Sequence, residues 1–261
     1  MKRTLVIAAL FVSVTGAALA QGMAPAAGGM PAMGGMPAGG AMPAPPSVFA
    51  GPGRPPADLE RDAMRKPKET MAFAGVKTGM TVAELGPGGG YYTRLLSAAV
   101  GPNGKVLAVV TKGQAARPNG LATLNALVAA NPNVQIVVSD YPELALPMKA
   151  DLVWTTENYH DFHNGPTANV PGMNNAVFEA LKPGGIFYVE DHSAAPGAGL
   201  EAASKVHRMD EAIAKTELMT AGFKLDGEGS LLRNTADNRV AGNSETVHFA
   251  TDRFMLRMKR P

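Results

Sequence analysis

The sequence contains no cysteine. This absence excludes disulfide bonds, thiolate metal sites and lipid attachment through an N-terminal cysteine. A domain of about 200 residues buries enough apolar surface to be stable without such links, even in an oxidising compartment.

An excess of charge of either sign is also missing. The chain has 24 basic and 22 acidic residues, and Lys2 and Arg3 are the only charged residues among the first 20. Loss of that segment leaves 22 of each sign, so the pI near 8.8 belongs to the full chain alone. A balanced net charge gives no electrostatic reason to expect binding to nucleic acid or to an anionic membrane.

The N-terminus has the pattern of an export signal. Lys2 and Arg3 precede an apolar run from Leu5 to about Val14, and Ala18-Leu19-Ala20 offers the small residues that signal peptidase accepts. The alternative is a membrane anchor, but the run is interrupted by polar residues and is short for a bilayer span of roughly 20 residues. We therefore predict a signal peptide over residues 1–20 and a periplasmic or secreted mature protein, with no integral membrane segment after its removal.

Residues 21–53 carry no charge and consist of Gly, Pro, Ala and Met with four exceptions. Such a composition sustains neither helix nor strand, and we predict a disordered linker. Met30, Met33 and Met36 recur at every third position, and thioethers of this kind can hold Cu(I). A low-complexity linker that happens to use Met is the favoured interpretation.

Residues 54–261 alternate strand-like and helix-like segments, which predicts an α/β domain with a doubly wound, mostly parallel, Rossmann-like sheet of seven strands. The strands are predicted at Met80–Leu85, Lys105–Val110, Val134–Val138, Asp151–Thr155, Ile186–Glu190, Phe223–Leu225 and Val247–Met258. The helices are predicted at Asp58–Ala74 with an interruption at Pro67, Tyr91–Val100, Leu121–Ala130, Asn174–Leu181 and Ser204–Ala221. Ligands of such sheets bind beyond the carboxyl ends of the strands.

A glycine-rich turn follows the first predicted strand. Gly86, Gly88 and Gly90 come after Glu84 and open the next helix, where exposed N–H groups can face an anion. A dinucleotide site would have the spacing G-x-G-x-x-G, but Tyr91 occupies its third glycine position. A tight turn without a ligand is the alternative interpretation.

Three segments resemble class I S-adenosylmethionine (SAM)-dependent methyltransferases: the G-x-G-x-G turn with its preceding acid, the lead-in 73–82 and the turn 180–185. Further segments, listed here by number, resemble a bacterial group of predicted exported methyltransferases: 158–161, 190–193, 207–208, 232–234 and 251–254. The resemblance implies SAM as cofactor. It places the glycine turn at the methionine part of SAM, Glu84 at the amino group and Asp140 at the adenine, and it adds Tyr91 and Asn158 to the cofactor site.

The resemblance breaks down after the second strand. The family usually has an acid there that holds both ribose hydroxyls, whereas this chain has Thr111. Asp140 follows the third strand, and from sequence alone it does not count as a substitute. A threonine makes one neutral hydrogen bond where a carboxylate makes two charge-assisted ones.

Polar residues crowd the ends of the fourth and fifth predicted strands. His160 is the first candidate for a general base, assisted by Asp161, and His192 is the second. The alternative is that Asn158 and His160 only orient their loop. We predict no metal; a metal-dependent variant would draw its ligands from His160, Asp161, His163, Asp191 and His192.

The sequence favours an enzyme that methylates a small-molecule or surface-exposed acceptor in the cell envelope. A non-catalytic binding module on the same fold is the alternative, and Thr111 and the export signal favour it. No G-x-S-x-G elbow, P-loop or H-E-x-x-H motif supports a hydrolase or a nucleotide-phosphate enzyme. The acceptor and the oligomeric state are not predicted.

Overall fold

The computed structural model describes residues 54–242 and 250–261. The predicted signal peptide 1–20 and linker 21–53 lie outside the described residues and stay predictions. In the part that is described, no helix is both long and apolar enough to cross a bilayer.

The described chain begins with two short helices, α1 (Pro56–Arg65) and α2 (Pro67–Ala74). The predicted interruption at Pro67 is confirmed. Lys66 lies between the helices with a left-handed φ of 41°, and Pro67 supplies the first residue of α2, a position that needs no N–H donor.

Seven strands form one sheet in the order β3-β2-β1-β4-β5-β7-β6, which confirms the predicted fold class. The first five strands are parallel, and β7 runs antiparallel to both of its neighbours. The strands are β1 (Thr81–Leu85), β2 (Lys105–Val110), β3 (Val134–Val138), β4 (Ala150–Thr156), β5 (Leu181–His192), β6 (Lys224–Gly229) and β7 (Arg253–Lys259). The carboxyl ends of the parallel strands therefore meet at one edge.

The remaining helices are α3 (Tyr91–Val100), α4 (Lys112–Ala115), α5 (Ala122–Ala130), α6 (Val170–Ala180), α7 (Glu201–Val206) and α8 (Glu211–Thr220). One-turn 3-10 helices lie at Tyr141–Glu143 and His160–His163. α6 begins four residues before the prediction, because the side chain of Asn169 caps its N-terminus by accepting from Gly172 N–H.

The predicted single helix Ser204–Ala221 is wrong, since the segment forms α7 and α8. His207 ends α7 with a left-handed φ of 51°, and the Asp210 side chain starts α8 by accepting from Ala212 N–H. A cap of this kind makes a new start more favourable than continuation. β7 begins at Arg253 rather than at Val247, which lies outside the described residues.

The core lies on both faces of the sheet. Neighbouring strand residues alternate between the faces, so Phe187 packs in one cluster while Tyr188 and Trp154 pack in the other. Trp154 is fully buried. Because both faces of the sheet are covered, a ligand site is expected at the edge where the carboxyl ends of the parallel strands meet.

Candidate functional site

The glycine turn joins β1 to α3. Gly86, Gly88 and Gly90 all have left-handed φ values, of 70°, 52° and 80°. A Cβ at Gly86 would lie 3.0 Å from Asn158 Nδ2, and one at Gly90 would overlap Leu127, whereas a Cβ at Gly88 would meet nothing within 4 Å. Gly86 and Gly90 are thus needed for packing, and Gly88 faces open space.

Glu84 lies at the end of β1 and is only 3% exposed. Its Oε2 accepts a hydrogen bond of 2.6 Å from Thr93 Oγ1. Burial raises the pKa of Glu84 to about 7, because desolvation outweighs the hydrogen bond from Thr93 and the charge of Arg94. A buried carboxylate of this kind is stabilised in its charged form by a neighbouring cation.

Asn158 and Tyr91 each make hydrogen bonds that link two elements near the glycine turn. Asn158 Nδ2 donates to the carbonyl oxygens of Gly86, at 3.2 Å, and Thr156, at 2.7 Å, and so links the turn to the end of β4. Tyr91 donates its hydroxyl to Asp62 on α1 at 2.7 Å. Both side chains hold neighbouring elements together, which is the orienting role that the sequence left open for Asn158.

A cavity of about 600 Å³ opens along the same edge of the sheet. Its lining comes from the residues that follow β2 and β3, from the segment after β4 and from the start of α6. Its lining includes Thr111, Asp140, Tyr141, Asp161 and Phe162. Two predicted site residues, Asp140 and Asp161, therefore share one cavity.

Asp140 reaches from the end of β3 to the loop after β2. Its Oδ1 accepts from Lys112 N–H at 3.0 Å, while Lys112 Nζ lies 3.2 Å from Oδ2. Thr111 Oγ1 accepts from Gln114 N–H at 3.1 Å and caps α4. The fold thus brings the Asp140 carboxylate to the loop after β2, although the residue itself follows β3.

His160 is held by Asp191, not by Asp161 or Asn158 as the base hypothesis assumed. Asp191 Oδ1 lies 2.8 Å from His160 Nδ1, and Oδ2 accepts from His160 N–H at 2.6 Å. Asp191 is fully buried and also accepts from His192 N–H at 2.8 Å. Burial lowers the pKa of His160, but the charge and hydrogen bond of Asp191 outweigh it, and the pKa lies above its usual value.

The other ring nitrogen of His160 meets two further polar side chains. His160 Nε2 lies 3.3 Å from Asp161 Oδ1, and His207 Nδ1 lies 3.4 Å from the same oxygen. His207 comes from the break between α7 and α8. The sequence analysis did not propose His207 as a site residue, and its position follows from the left-handed backbone at the end of α7.

Arg208 pairs with an acid of the same chain. Its side chain is 1% exposed and makes hydrogen bonds of 2.7 and 3.1 Å with the two carboxylate oxygens of Asp237. The other two described histidines also lie away from the cavity. His192 is fully buried with Nδ1 2.7 Å from Thr251 Oγ1, and His163 Nε2 lies 3.0 Å from Glu217 Oε1.

A buried ion-pair network, which the sequence did not predict, supports the strand ends. Arg253 Nη1 lies 2.9 Å from both Glu157 Oε1 and Glu190 Oε1, and Arg253 Nη2 donates to the Met64 carbonyl oxygen. Arg65 of α1 pairs with the other oxygen of Glu157. Burial raises the pKa of Glu190 to about 7 against the opposing charge of Arg253. The network ties α1 to the ends of β4, β5 and β7.

The fold is similar to that of solved structures, although sequence comparison finds no relative. No protein-family profile matches the sequence, and no curated protein matches it. Solved structures do match. A SAM-dependent methyltransferase from Aquifex aeolicus is 19% identical, with a TM-score of 0.57 over 77% of this chain and 93% of that one.

Two further structures have the same fold. A SAM-dependent methyltransferase from Mesorhizobium loti is 18% identical, with a TM-score of 0.51 over 74% of this chain and 96% of that one. The [4+2]-cyclase SpnF is 13% identical, with a TM-score of 0.55 over 76% and 81%. The domain has the class I methyltransferase fold.

Proposed function

We propose that the protein is a SAM-dependent methyltransferase. The observation that carries this proposal is the pairing of an open glycine turn with a buried acid at the end of β1. Gly88 leaves room for a ligand. Glu84, just before the same turn, is buried, and burial raises its pKa to about 7. A cationic amine is the partner that such a carboxylate needs.

The residues present fit SAM. Glu84 is proposed to hold its amino group, Gly88 and the N-terminus of α3 its carboxylate, and Asp140 its nucleoside part. Asp140 supports the last assignment because it lines the cavity beside the loop after β2. When bound, SAM supplies a methyl group on a sulfonium centre, and methyl transfer requires an acceptor aligned with that centre.

The proposed catalytic residues are His160 and Asp161. Their role is to take the proton that the acceptor loses on methylation. Asp161 lines the cavity, whereas His160 is 2% exposed and reaches it through Asp161. His192 is fully buried, 6.0 Å from His160 between ring centroids, and we assign it a supporting role behind that ring.

Export and an acceptor in the cell envelope belong to the same proposal. Their support is the charged, apolar and small-residue order of residues 1–20. Mass spectrometry of protein from the periplasm should find a mature N-terminus at Gln21. An N-terminus at Met1 would contradict export by this signal.

A non-catalytic binding module is the second candidate. Thr111 favours it, because its hydroxyl caps α4 and the loop after β2 supplies no acid of its own. The [4+2]-cyclase SpnF has a similar fold and is named for a different reaction, so the fold by itself does not fix the activity.

Isothermal titration calorimetry of the mature protein tests the proposal. SAM and S-adenosylhomocysteine should each bind with a dissociation constant in the micromolar range, and NAD should not bind, because Tyr91 replaces the third dinucleotide glycine. Binding of neither adenosyl compound, in protein shown to be folded by circular dichroism, would contradict the methyltransferase and favour the binding module.

A further inference from the structure

Three potential metal ligands meet beside the cavity. Among the described residues, His160, Asp161 and His207 form the group whose ligand atoms all lie within 4.8 Å of one another. Asp161 and His207 are about half exposed, and His160 is buried beneath them. The group is thus closed on the protein side and open to solvent on the other.

Two of the three distances within the group suit a tetrahedral ion. Asp161 Oδ1 lies 3.3 Å from His160 Nε2 and 3.4 Å from His207 Nδ1. Charge-assisted hydrogen bonds between nitrogen and oxygen are shorter, at about 2.7–2.9 Å. A tetrahedral Zn²⁺ with bonds of about 2.0–2.1 Å separates its ligands by about 3.3–3.4 Å, and an octahedral ion by about 2.9–3.0 Å.

His160 is also oriented as a metal ligand would be. Its Nδ1 faces Asp191 Oδ1 at 2.8 Å, and the carboxylate takes the ring N–H. A neutral ring then carries its lone pair on Nε2, which lies 3.3 Å from Asp161 Oδ1. Binding of an ion at this nitrogen displaces any proton that it carries.

Asp191 is a rigid support for this orientation. It is fully buried, and the backbone N–H groups of His160 and His192 also donate to it. Such histidine–carboxylate pairs typically accompany bound zinc and raise the basicity of the ligating nitrogen.

The geometry points to a divalent transition-metal site of the zinc type, held by His160 Nε2, Asp161 and His207 Nδ1. Of the three ligands, Asp161 also lines the cavity. The set differs from the one that the sequence suggested, since His207 joins it and His163 and His192 do not. With an ion on Nε2 and Asp191 on Nδ1, both ring nitrogens of His160 are engaged, so the ion rather than His160 would lower the pKa of an acceptor; that role rests on the proposed function, whereas the site itself does not.

Metal binding to the full chain, stripped with a chelator and dialysed, tests the site directly. Titration with Co²⁺ should produce the strong visible absorption of a four-coordinate ion, at one ion per chain, and Zn²⁺ should abolish it. His207→Gly and Asp161→Asn should each weaken Co²⁺ binding by about a hundredfold, and Asp191→Asn by about ten- to a hundredfold. Glycine suits the left-handed φ of His207, so its variant removes a ligand without backbone strain.

Two matched variants serve as controls. Glu143→Gln removes an exposed carboxylate from the same cavity, and His163→Ala removes the histidine paired with Glu217. Both should bind Co²⁺ as the parent does. No absorption on adding Co²⁺, or equal affinity in the parent and His207→Gly, would overturn the site.

Calorimetry with SAM on the same metal-free samples separates this inference from the proposed function. Glu84, Gly88 and Asp140 lie outside the metal group, so SAM should bind equally well with and without the ion. Co²⁺ binding without SAM binding would leave the metal site standing and reject the cofactor. SAM binding without Co²⁺ binding would do the reverse.

Discussion

The two halves of the sheet's carboxyl edge are built in different ways. At the end of β1, Glu84 and the three glycines of the turn lie within seven residues of sequence. At the ends of β4 and β5, His160 depends on Asp191, and Asp161 on His207, across 31 and 46 residues. The first half is a local backbone device, and the second is a set of distant side chains that the fold brings together.

Different kinds of substitution should therefore disrupt the two halves. The glycine turn depends on backbone conformation and free space, so one added side chain should block it. The second half depends on buried charges that compensate one another, so loss of one partner leaves another charge buried without compensation.

Removal of Arg253 should have the largest effect. Arg253 is 3% exposed and joins Glu157, Glu190 and the Met64 carbonyl. Arg253→Ala should lower the free energy of unfolding by about 3–5 kcal/mol, because it removes the cation that pairs with the buried Glu190 carboxylate. Urea denaturation measures the change.

Arg257, on the same strand, is the matched control. Its side chain is 31% exposed and pairs with the equally accessible Asp226. Arg257→Ala should cost no more than about 1 kcal/mol. Equal losses in the two variants would mean that burial of the network contributes nothing to stability.

Gly88→Val should have the next largest effect, in the other half of the edge. The branched side chain would occupy the open space beside the turn and should weaken SAM binding at least about a hundredfold, close to 2.8 kcal/mol. Calorimetry measures the affinity, and circular dichroism checks that the variant is folded.

Gly184→Val distinguishes loss of binding space from backbone strain. Gly184 also has a left-handed φ, of 79°, and an open position for a Cβ, but it lies in the turn entering the core of β5, at the other end of the strands. Gly184→Val should therefore cause a backbone strain similar to that of Gly88→Val but leave the SAM affinity unchanged. Normal SAM affinity in Gly88→Val would instead remove the turn from the cofactor site.

The pH dependence of SAM binding is the smallest of the three effects. The pKa of Glu84 is raised from 4.5 to about 7, so the free protein is mostly protonated there below pH 7 and mostly ionised above it. If SAM requires the carboxylate, its affinity should fall by about tenfold per pH unit below 7, with a proton released on binding.

Glu84→Gln should bind SAM more weakly and without this slope between pH 5 and 7. Calorimetry in buffers of different ionisation enthalpy measures the released proton. An unchanged slope in Glu84→Gln would assign the titration to another group.

The fold could be predicted in large part from the sequence. Apolar runs between turn residues indicate the strands, and Tyr91–Val100, Lys105–Val110 and Val134–Val138 have the same limits in the structure as in the prediction. The break at His207 could not be predicted, because the segment 204–221 has helix-forming residues throughout and its end depends on local backbone geometry and the Asp210 cap.

The sequence by itself determined the strands and the glycine turn, because backbone conformation and strand periodicity depend on neighbouring residues. The choice of Glu84 beside the turn came from the resemblance to methyltransferases. Only the tertiary structure decided that Asp140 reaches the loop after β2, that Asp191 orients His160 and that His207 joins Asp161. These contacts depend on the directions of side chains from separate elements. Those directions are settled by the packing of the elements, which the order of residues along the chain does not show.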